Sequence, residues 1–337
     1  MRVLYLGPDS GTSRHRARAF ERLGHQVRVL DPRKLLPSSS LVDRIEWQLH
    51  PAPLSAWVRH AMRRELAGLR FDLAFADGGA LIGPGTVSDL RQHCARVVNF
   101  NHDDPFGPRD GVRFASYRLA VPQYDLLVVV RSENVAEARA HGARRVLYTY
   151  RTADEVEHAP RELDAALAGG WSSQVAFVGT WMPERGPFLA DLMQRGVPVA
   201  IFGGGWHKAP EWPRLRAAHR AAHLEGQDYG LAVQCAKINL GLLSSGNRDL
   251  HTTRSLEIPA LGSVFCAQRT SEHETLYRDG EEAVFWNTTE ECARLCLELL
   301  EDSARRERIA QAGRARCLSN GHFSERLLQR VIDEAYA

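Results

Sequence analysis

The sequence predicts an α/β protein made of two doubly wound domains, and three observations support this. Short apolar runs alternate with longer stretches of helical period, which is typical of a parallel sheet covered by helices. A charged segment without strand pattern, 151–173, interrupts that alternation in the middle of the chain. A chain of 337 residues is also long enough for two domains that each bury a core of their own.

The first half of the chain has the pattern of one doubly wound domain, which we expect to cover 1–155. Helical spacing of apolar residues predicts helices over 14–23, 55–69, 87–94 and 133–141. Apolar runs with the length of buried strands lie at 3–6, 27–30, 73–76, 97–100, 126–130 and 146–150.

The second half repeats the pattern after a predicted linker. Segment 156–173 loses strand pattern and ends in Gly-Gly-Trp-Ser-Ser, as an exposed connection would. A second domain over 174–320 is predicted from further strand-like runs at 175–178, 199–202, 238–243, 264–267 and 283–286. The tail from 290 to 336 has helical pattern, with breaks expected at Gly313 and at 319–321, and a last helix within 321–337 can pack back on the N-terminal domain.

Composition restricts the partners. A formal net charge of +2 gives no field that would attract nucleic acid or an anionic membrane, so we expect small-molecule partners. The chain opens directly on a strand-like run and has no apolar stretch of spanning length, which predicts a cytoplasmic protein without a membrane span. The six cysteines lack the Cys-x2-Cys spacing of zinc or redox sites, and Cys292 and Cys296 are predicted to form one buried helical stripe.

Two glycine-rich turns, 7–13 and 203–206, each follow a predicted strand. Ligands of open α/β sheets bind at the carboxyl ends of strands, and glycine lets backbone N–H groups approach them closely. The first turn makes Asp9 and Ser10 candidate ligand contacts, and the second contributes Gly205. A sharp turn without a ligand is the alternative for both.

The segment 247–262 is the richest in polar side chains and lies between two apolar strands. Thr252 or Thr253 can cap a helix whose first turn holds Arg254 and Glu257 on one face. An arginine and a hydroxyl suit a diphosphate, while a carboxylate suits the two hydroxyls of a ribose. The alternative is a capping box in which Glu257 folds back on the cap.

A family resemblance becomes visible here. Asp249 and Glu257 are eight apart, with Gly262 five further on, which resembles the Glu-x7-Glu motif of family 4 GT-B glycosyltransferases, with Asp in place of the first Glu. Together with 252–263, the segments 276–282 and 308–313 resemble the C-terminal domain of the CgeB-like glycosyltransferases. The resemblance runs from about residue 175 to the end. It implies the GT-B fold, with two Rossmann-like domains facing each other across a cleft.

The resemblance also assigns roles in binding a nucleoside diphosphate sugar, which would be a substrate and not a cofactor. It implies that Glu257 holds the nucleotide ribose and that Asp249 contacts the donor sugar or its phosphate. Gly179 and Arg185 resemble the glycine turn and basic residue that receive the diphosphate.

The resemblance further places Lys237 among the basic residues near the donor. Arg and Lys can stabilise a diphosphate leaving group in place of a metal, so no metal site is expected. Lys237 and Arg185 could instead be ordinary surface cations.

In the N-terminal domain, His102, Asp103 and Asp104 follow the strand at 97–100 and also resemble the family. A histidine beside an aspartate can accept a proton from the acceptor or touch the sugar, which makes these three the catalytic candidates. The alternatives are a structural histidine and a turn formed by the two aspartates. Asp77, after the strand at 73–76, is the reserve candidate for the base.

Together with these residues, the resemblance implies a metal-independent glycosyltransferase that acts on a nucleotide sugar and an acceptor, which could be a glycan, a small molecule or a protein. Two alternatives stay open at this point: a nucleotide-sugar 2-epimerase of the same architecture, and a homologue that binds nucleotide sugars without catalysis. Asp249, which departs from the family motif, is the best support for the non-catalytic alternative.

Overall fold

The computed structural model describes residues 1–48, 51–109, 112–224 and 226–337. The chain divides into two compact units. The first consists of Met1–Tyr150, Gly246–Arg248 and Ser324–Ala337, and the second consists of Arg151–Ser245 and Asp249–Phe323.

The first unit contains a parallel six-stranded sheet in the order β2-β1-β3-β4-β5-β6. Its strands are β1 (Arg2–Leu6), β2 (Gln26–Leu30), β3 (Phe71–Asp77), β4 (Cys94–Asn101), β5 (Leu126–Val129) and β6 (Val146–Tyr148). Its helices before Tyr150 are α1 (Gly11–Arg22), α2 (Ser40–Gln48), α3 (Ala52–Glu65), α4 (Pro84–His93), α5 (Ala115–Ala120) and α6 (Glu133–Ala140), with 3-10 turns at Pro32–Leu35 and Val121–Gln123.

The second unit contains another parallel six-stranded sheet, in the order β12-β11-β10-β7-β8-β9. Its strands are β7 (Ser173–Val178), β8 (Val199–Phe202), β9 (His219–Ala221), β10 (Ala236–Gly241), β11 (Val264–Gln268) and β12 (Val284–Trp286). Its helices are α7 (Ala165–Trp171), α8 (Arg185–Gln194), α9 (Trp212–Leu215), α10 (Gln227–Gln234), α11 (Arg254–Ala260), α12 (Ser271–Leu276), α13 (Thr289–Glu301) and α14 (Ser303–Asn320), with a 3-10 turn at Trp206–Lys208.

The first sheet is buried on both faces. Leu4 belongs to the hydrophobic cluster on one face, whereas Val3 and Tyr5 belong to the cluster on the other. Because successive side chains of a strand point to opposite faces, a strand covered on both sides reads as a continuous apolar run. This explains why the strand-like runs stand out in the sequence.

The last helix, α15 (Ser324–Tyr336), packs within the first unit. Leu328, Val331 and Ile332 form a helical stripe in the same hydrophobic cluster as Val3 and Phe20. The α15 helix therefore contributes to a core whose other members lie between Val3 and Leu147.

The two parallel sheets with their helices confirm the predicted α/β fold, and each predicted strand corresponds to an observed one. The sequence pattern missed β9, whose residues His-Arg-Ala carry no apolar run because the strand lies at a sheet edge and is only partly buried. In the described part of the chain, no helix combines the length and the apolarity needed to cross a bilayer.

The predicted domain limits differ from the division of the structure. The change of unit falls between Tyr150 and Arg151, and the segment expected to be a linker, 156–173, lies in the second unit and contains α7. The Gly-Gly pair and the charged residues before it misled the prediction, because α7 is short and largely exposed and so lacks a marked apolar stripe.

The predicted helix break at Gly313 is wrong, because α14 runs through it. A Cβ atom at Gly313 would lie 2.3 Å from the Glu282 carbonyl oxygen, so glycine is required by close packing and not by a turn. The helix ends instead at Asn320 and is capped by Gly321, where φ is +67°. This end lies within the other predicted break, at 319–321.

Substitutions at two helical glycines, Gly313 and Gly169, give a matched pair of predictions. Gly313→Ala is expected to destabilise the protein by about 1–3 kcal/mol, because the methyl group meets rigid backbone and the clash outweighs the gain in helix propensity. Gly169→Ala, on α7 with open space around it, is expected to stabilise by about 0.4–1 kcal/mol. Urea unfolding of both variants measures the two signs, and equal signs would contradict the packing explanation.

Candidate functional site

In the first unit, candidate residues meet at the carboxyl edge of the sheet. Asp77 ends β3 and His102 follows β4 by one residue. The register pairs Asp77 with Phe100, so His102 lies two residues beyond that pairing on the adjacent strand. Gly7 follows β1, and a Cβ there would lie 3.0 Å from the Asp77 Cβ, so only glycine allows this approach.

The Asp77 carboxylate is held from inside the sheet. Its side chain is fully buried, and Oδ2 accepts hydrogen bonds from Tyr5 Oη at 2.5 Å and Arg16 Nη2 at 2.7 Å. Burial alone would raise the pKa of Asp77, but the Arg16 guanidinium, followed by His102 and Tyr5, lowers it below its ordinary value. Asp77 is therefore ionised at neutral pH.

His102 connects this buried carboxylate with solvent. Its Nδ1 lies 3.4 Å from Asp77 Oδ1, and 42% of its side chain is exposed. In the neutral tautomer that carries its proton on Nδ1, this proton faces the carboxylate and Nε2 is the proton acceptor. The structure thus pairs His102 with the reserve candidate Asp77.

Asp103 and Asp104 have different surroundings. Asp103 Oδ1 lies 4.0 Å from His102 Nε2, which keeps Asp103 beside the imidazole. The Asp104 carboxylate is buried and accepts hydrogen bonds from Arg248 Nη2 at 2.7 Å and Asn134 Nδ2 at 2.9 Å. Asp104 therefore anchors the 246–248 segment, and we correct its expected pairing with His102.

The loop that carries Asp9 and Ser10 precedes α1 and is exposed. Asp9 Oδ1 accepts a hydrogen bond from Arg14 Nε at 2.9 Å. Both residues belong to the first unit, and the loop starts at Gly7, which packs against Asp77.

In the second unit, the Glu257 carboxylate is 1% exposed and lies in a polar cluster. Its Oε2 accepts hydrogen bonds from Tyr229 Oη at 2.6 Å and from Arg254 Nη1. The Arg254 guanidinium also lies over the Tyr229 ring, 4.4 Å from its centroid. Burial by itself raises the pKa of Glu257, but Arg254, followed by His158, lowers it overall.

His158 completes this cluster from a segment that the sequence pattern had predicted to be a linker. Its Nδ1 accepts a hydrogen bond from the Asp154 backbone N–H at 2.8 Å, so Nε2 carries the proton of the neutral ring. That nitrogen lies 3.6 Å from Glu257 Oε1. Both oxygens of Glu257 thus face polar hydrogens.

The glycine turns after β7 and β8 pack against each other. A Cβ on Gly203 would lie 2.2 Å from the Gly179 carbonyl oxygen, and Gly205 has φ +80°. Arg254 Nε donates a hydrogen bond to the Val178 carbonyl oxygen at 3.2 Å, which joins α11 to the end of β7. Arg254, Glu257 and the turn at Gly179 are therefore brought together.

Arg185 lies at the same edge of the sheet. Its Nη1 donates to the Thr180 carbonyl oxygen at 2.8 Å, and its guanidinium lies 5.4 Å from the Phe177 ring centroid. Thr253 precedes α11, and its carbonyl oxygen accepts a hydrogen bond from the Glu257 backbone N–H at 2.9 Å.

Two expected donor contacts, Lys237 and Asp249, are not joined to this group by the contacts described above. Lys237 is exposed at the second position of β10, near the amino end of the strand, whereas the glycine turns follow the carboxyl ends of β7 and β8. Four steps along the strand, of about 3.3 Å each, separate it from Gly241, the last residue of β10. Asp249 is buried and accepts a hydrogen bond from Arg151 Nη2 at 2.8 Å. We therefore correct the placement of Lys237 beside the diphosphate, and Asp249 has an intramolecular partner.

A buried histidine, His273, contacts α11 through the Ser255 side chain. His273 Nε2 lies 2.8 Å from Ser255 Oγ, and its Nδ1 lies 2.7 Å from the Gln268 carbonyl oxygen. The carbonyl accepts from Nδ1–H and the hydroxyl donates to Nε2, so this geometry fits the neutral ring. Burial lowers the pKa of His273 to about 4.

This shift predicts acid sensitivity. Between about pH 6.5 and 4 the unfolded chain binds a proton at His273 that the folded chain does not, so stability falls as the pH falls. We expect this group to cost about 3 kcal/mol of unfolding free energy between pH 7 and pH 4. Urea midpoints across this range should show a smaller loss in His273→Gln, whereas His207→Gln, exposed in the same unit, should behave like the unmodified protein. An unchanged slope in His273→Gln would contradict the assignment.

The comparisons with known proteins concern the family and the fold. Residues 185–333 match the family model described as glycosyl transferase-like. This segment is less than half of the chain and contains Arg185, Arg254 and Glu257. No curated protein matches the sequence significantly.

Three solved structures share the fold over most of the chain. Sucrose-phosphate synthase from Thermosynechococcus elongatus has a TM-score of 0.72 at 10% identity, over 100% of this chain and 99% of that one. HepE from Anabaena, solved in complex with UDP and glucose, has a TM-score of 0.66 at 14% identity, over 99% and 98%. A Listeria monocytogenes protein described as a UDP-N-acetylglucosamine 2-epimerase has a TM-score of 0.57 at 11% identity, over 93% and 91%. These similarities show the GT-B fold.

Proposed function

We propose that the protein is a glycosyltransferase that uses a nucleoside diphosphate sugar. The observation that carries this proposal is the group formed by the buried Glu257 carboxylate, Arg254 and the paired glycine turns at the carboxyl edge of the second sheet. The match of residues 185–333 to a glycosyl transferase-like family supports it. A protein of the same fold, HepE, was solved with UDP, which favours a uridine nucleotide among the candidates.

Each group has a role that fits the chemistry of the donor. Glu257 accepts hydrogen bonds from the ribose hydroxyls, which requires an ionised carboxylate. Arg185 and Arg254 neutralise the diphosphate, whose negative charge grows as the glycosidic bond breaks. Gly179 and Gly205 let the diphosphate approach the backbone, with Thr253 as a further hydroxyl donor. These cations make a metal unnecessary in the proposed step.

In the first unit, His102 acts on the acceptor. Its Nε2 accepts the proton of the acceptor hydroxyl as that oxygen bonds to the anomeric carbon, and the bonding electrons of the old glycosidic bond leave with the diphosphate. Asp77, 3.4 Å from Nδ1, stabilises the imidazolium that forms. Asp9 and Ser10, which are exposed on the loop after Gly7, and Asp103, which is partly exposed beside His102, are proposed to contact the acceptor.

A 2-epimerase is the alternative that a specific observation favours, because the Listeria protein described as one shares the fold. An epimerase changes its nucleotide sugar without an acceptor, whereas a transferase requires one. Following the sugar by NMR in the presence of the donor alone separates them, and conversion to an epimer would contradict the proposal. A homologue that only binds the nucleotide would show neither reaction.

The direct test of donor binding is calorimetry with UDP, GDP and TDP in the presence of EDTA. We expect one of the three to bind and to raise the unfolding temperature, as a ligand specific for the folded state does. Lys237→Ala serves as the matched control and should bind like the unmodified protein, because Lys237 lies near the amino end of β10. Failure of all three nucleotides to bind, or binding that needs a divalent ion, would contradict the proposed site.

A further inference from the structure

The second unit contains three thiols that the proposed reaction does not use. Cys266 lies on β11, and Cys292 and Cys296 lie one turn apart on α13. Their sulfur atoms all lie within 4.8 Å of one another, and each residue is 0% exposed. The strand and the helix therefore direct three soft ligand atoms toward one point.

The spacing fits coordination of a single atom. With bonds to sulfur of about 2.3 Å, three sulfur atoms around one centre lie about 3.3 Å apart when the centre is pyramidal and about 4 Å apart when it is planar. An inward shift of less than about 1 Å at each sulfur closes the difference from the observed limit. Within the described residues, this group consists of thiols alone, so the coordination would be three sulfur atoms.

Charge decides which ion the site would take. The thiols share a hydrophobic cluster with Val264, Val284 and Leu299, and Glu291, next to Cys292, adds a negative charge. Three thiolates carry a net charge of −2 around a monovalent ion and −1 around a divalent ion, but none around a trivalent ion. Because burying an uncompensated charge is costly, the neutral complex is favoured.

We propose that Cys266, Cys292 and Cys296 form a binding site for a thiophilic trivalent metalloid of the arsenic(III) class. Arsenous acid, As(OH)3, is uncharged and can enter when the unit opens locally. Three As–O and three S–H bonds break, three As–S and three O–H bonds form, and three water molecules leave. Arsenic and sulfur keep their oxidation states.

The test uses the reduced full-length protein, incubated with arsenite until binding no longer changes. Native mass spectrometry should show one arsenic per chain in place of three hydrogens, and X-ray absorption at the arsenic edge should show three sulfur neighbours. Two sulfur neighbours, or an unchanged mass, would overturn the proposal. Both measurements use the unmodified chain, so they do not depend on a variant that folds.

Variants assign the site to these thiols. Cys266→Ala, Cys292→Ala and Cys296→Ala should each weaken arsenite binding at least about tenfold, because each loses one of three linked bonds. Cys317→Ala is the matched control: Cys317 is equally buried in the same unit, where its Sγ donates to the Leu256 carbonyl oxygen, and its loss should leave binding unchanged. The proposal is wrong if Cys317→Ala abolishes binding or Cys266→Ala retains full affinity.

The charge argument is tested separately with zinc(II). Zinc(II) should bind more weakly than arsenite, and tighter zinc binding would overturn the charge argument.

Discussion

His102→Ala is expected to lower turnover by about 10²–10⁴-fold, the range that one positioned general base contributes. Nucleotide affinity should stay nearly unchanged, because His102 belongs to the first unit and the proposed donor contacts belong to the second. The loss of turnover is expected because of the contact between His102 and Asp77. The buried Asp77 carboxylate lies 3.4 Å from Nδ1, so Nε2 points away from it and the carboxylate stabilises the protonated ring. Steady-state kinetics and calorimetry on the same preparation measure both quantities.

Two further variants accompany His102→Ala. His60→Ala, exposed on α3 of the same unit, should keep full turnover. Asp77→Asn should lower turnover and also destabilise the unit by about 3–5 kcal/mol, because it leaves the Arg16 charge buried without its partner. Full activity in His102→Ala would transfer the role of base to Asp103 or to the loop at Asp9.

Glu257→Gln is expected to weaken nucleotide binding by about 10–100-fold while the protein still folds. Glutamine preserves the size of the side chain, but the carboxylate loses the charge that strengthens its hydrogen bonds, each worth about 1.5–3 kcal/mol. The same change removes the partner of Arg254, so part of the loss comes from a displaced guanidinium. Calorimetry with the nucleotide that the unmodified protein binds gives the ratio of dissociation constants.

The control for Glu257→Gln is Glu157→Gln in the same unit. Glu157 pairs with Arg161 at 3.9 Å and has no proposed contact with the donor, so its substitution should leave affinity unchanged. If Glu257→Gln binds the nucleotide as tightly as the unmodified protein, Glu257 does not hold the ribose. The carboxylate would then serve only to hold Tyr229 and Arg254.

Most strands could be predicted because both sheets are parallel and their central strands are covered on both faces. Nearly every side chain of such a strand is apolar, which gives a continuous apolar run in the sequence. Features set by contacts between distant parts of the chain could not be predicted in this way. Gly313 looks like a helix break in the sequence, and only the approach of the Glu282 carbonyl oxygen explains it. Strand β9 lies at the edge of its sheet and is only partly buried, so its sequence lacks an apolar run.

The candidate site shows the same limit. Arg254 and Glu257 are one helical turn apart, so local spacing was enough to group them. Tyr229 and His158 join Glu257 from 28 and 99 positions away, and their sequence surroundings gave no signal. Asp77 and His102 were separate candidates, because pairing them requires knowing that β3 and β4 are neighbours in the sheet. The order of the strands in the sheet is the information that the sequence pattern does not contain.

Acceptor-dependent release of nucleotide is the measurement that tests the proposed function most directly. The protein is incubated in EDTA with a panel of UDP, GDP and TDP sugars, alone and with small-molecule, peptide and glycan acceptors, and free nucleotide is followed over time. Glycosyl transfer predicts release from one donor only when an acceptor is present, with release strongly reduced in His102→Ala. Conversion of a donor to its epimer without acceptor, or a donor that binds but releases no nucleotide with any acceptor class, would contradict it.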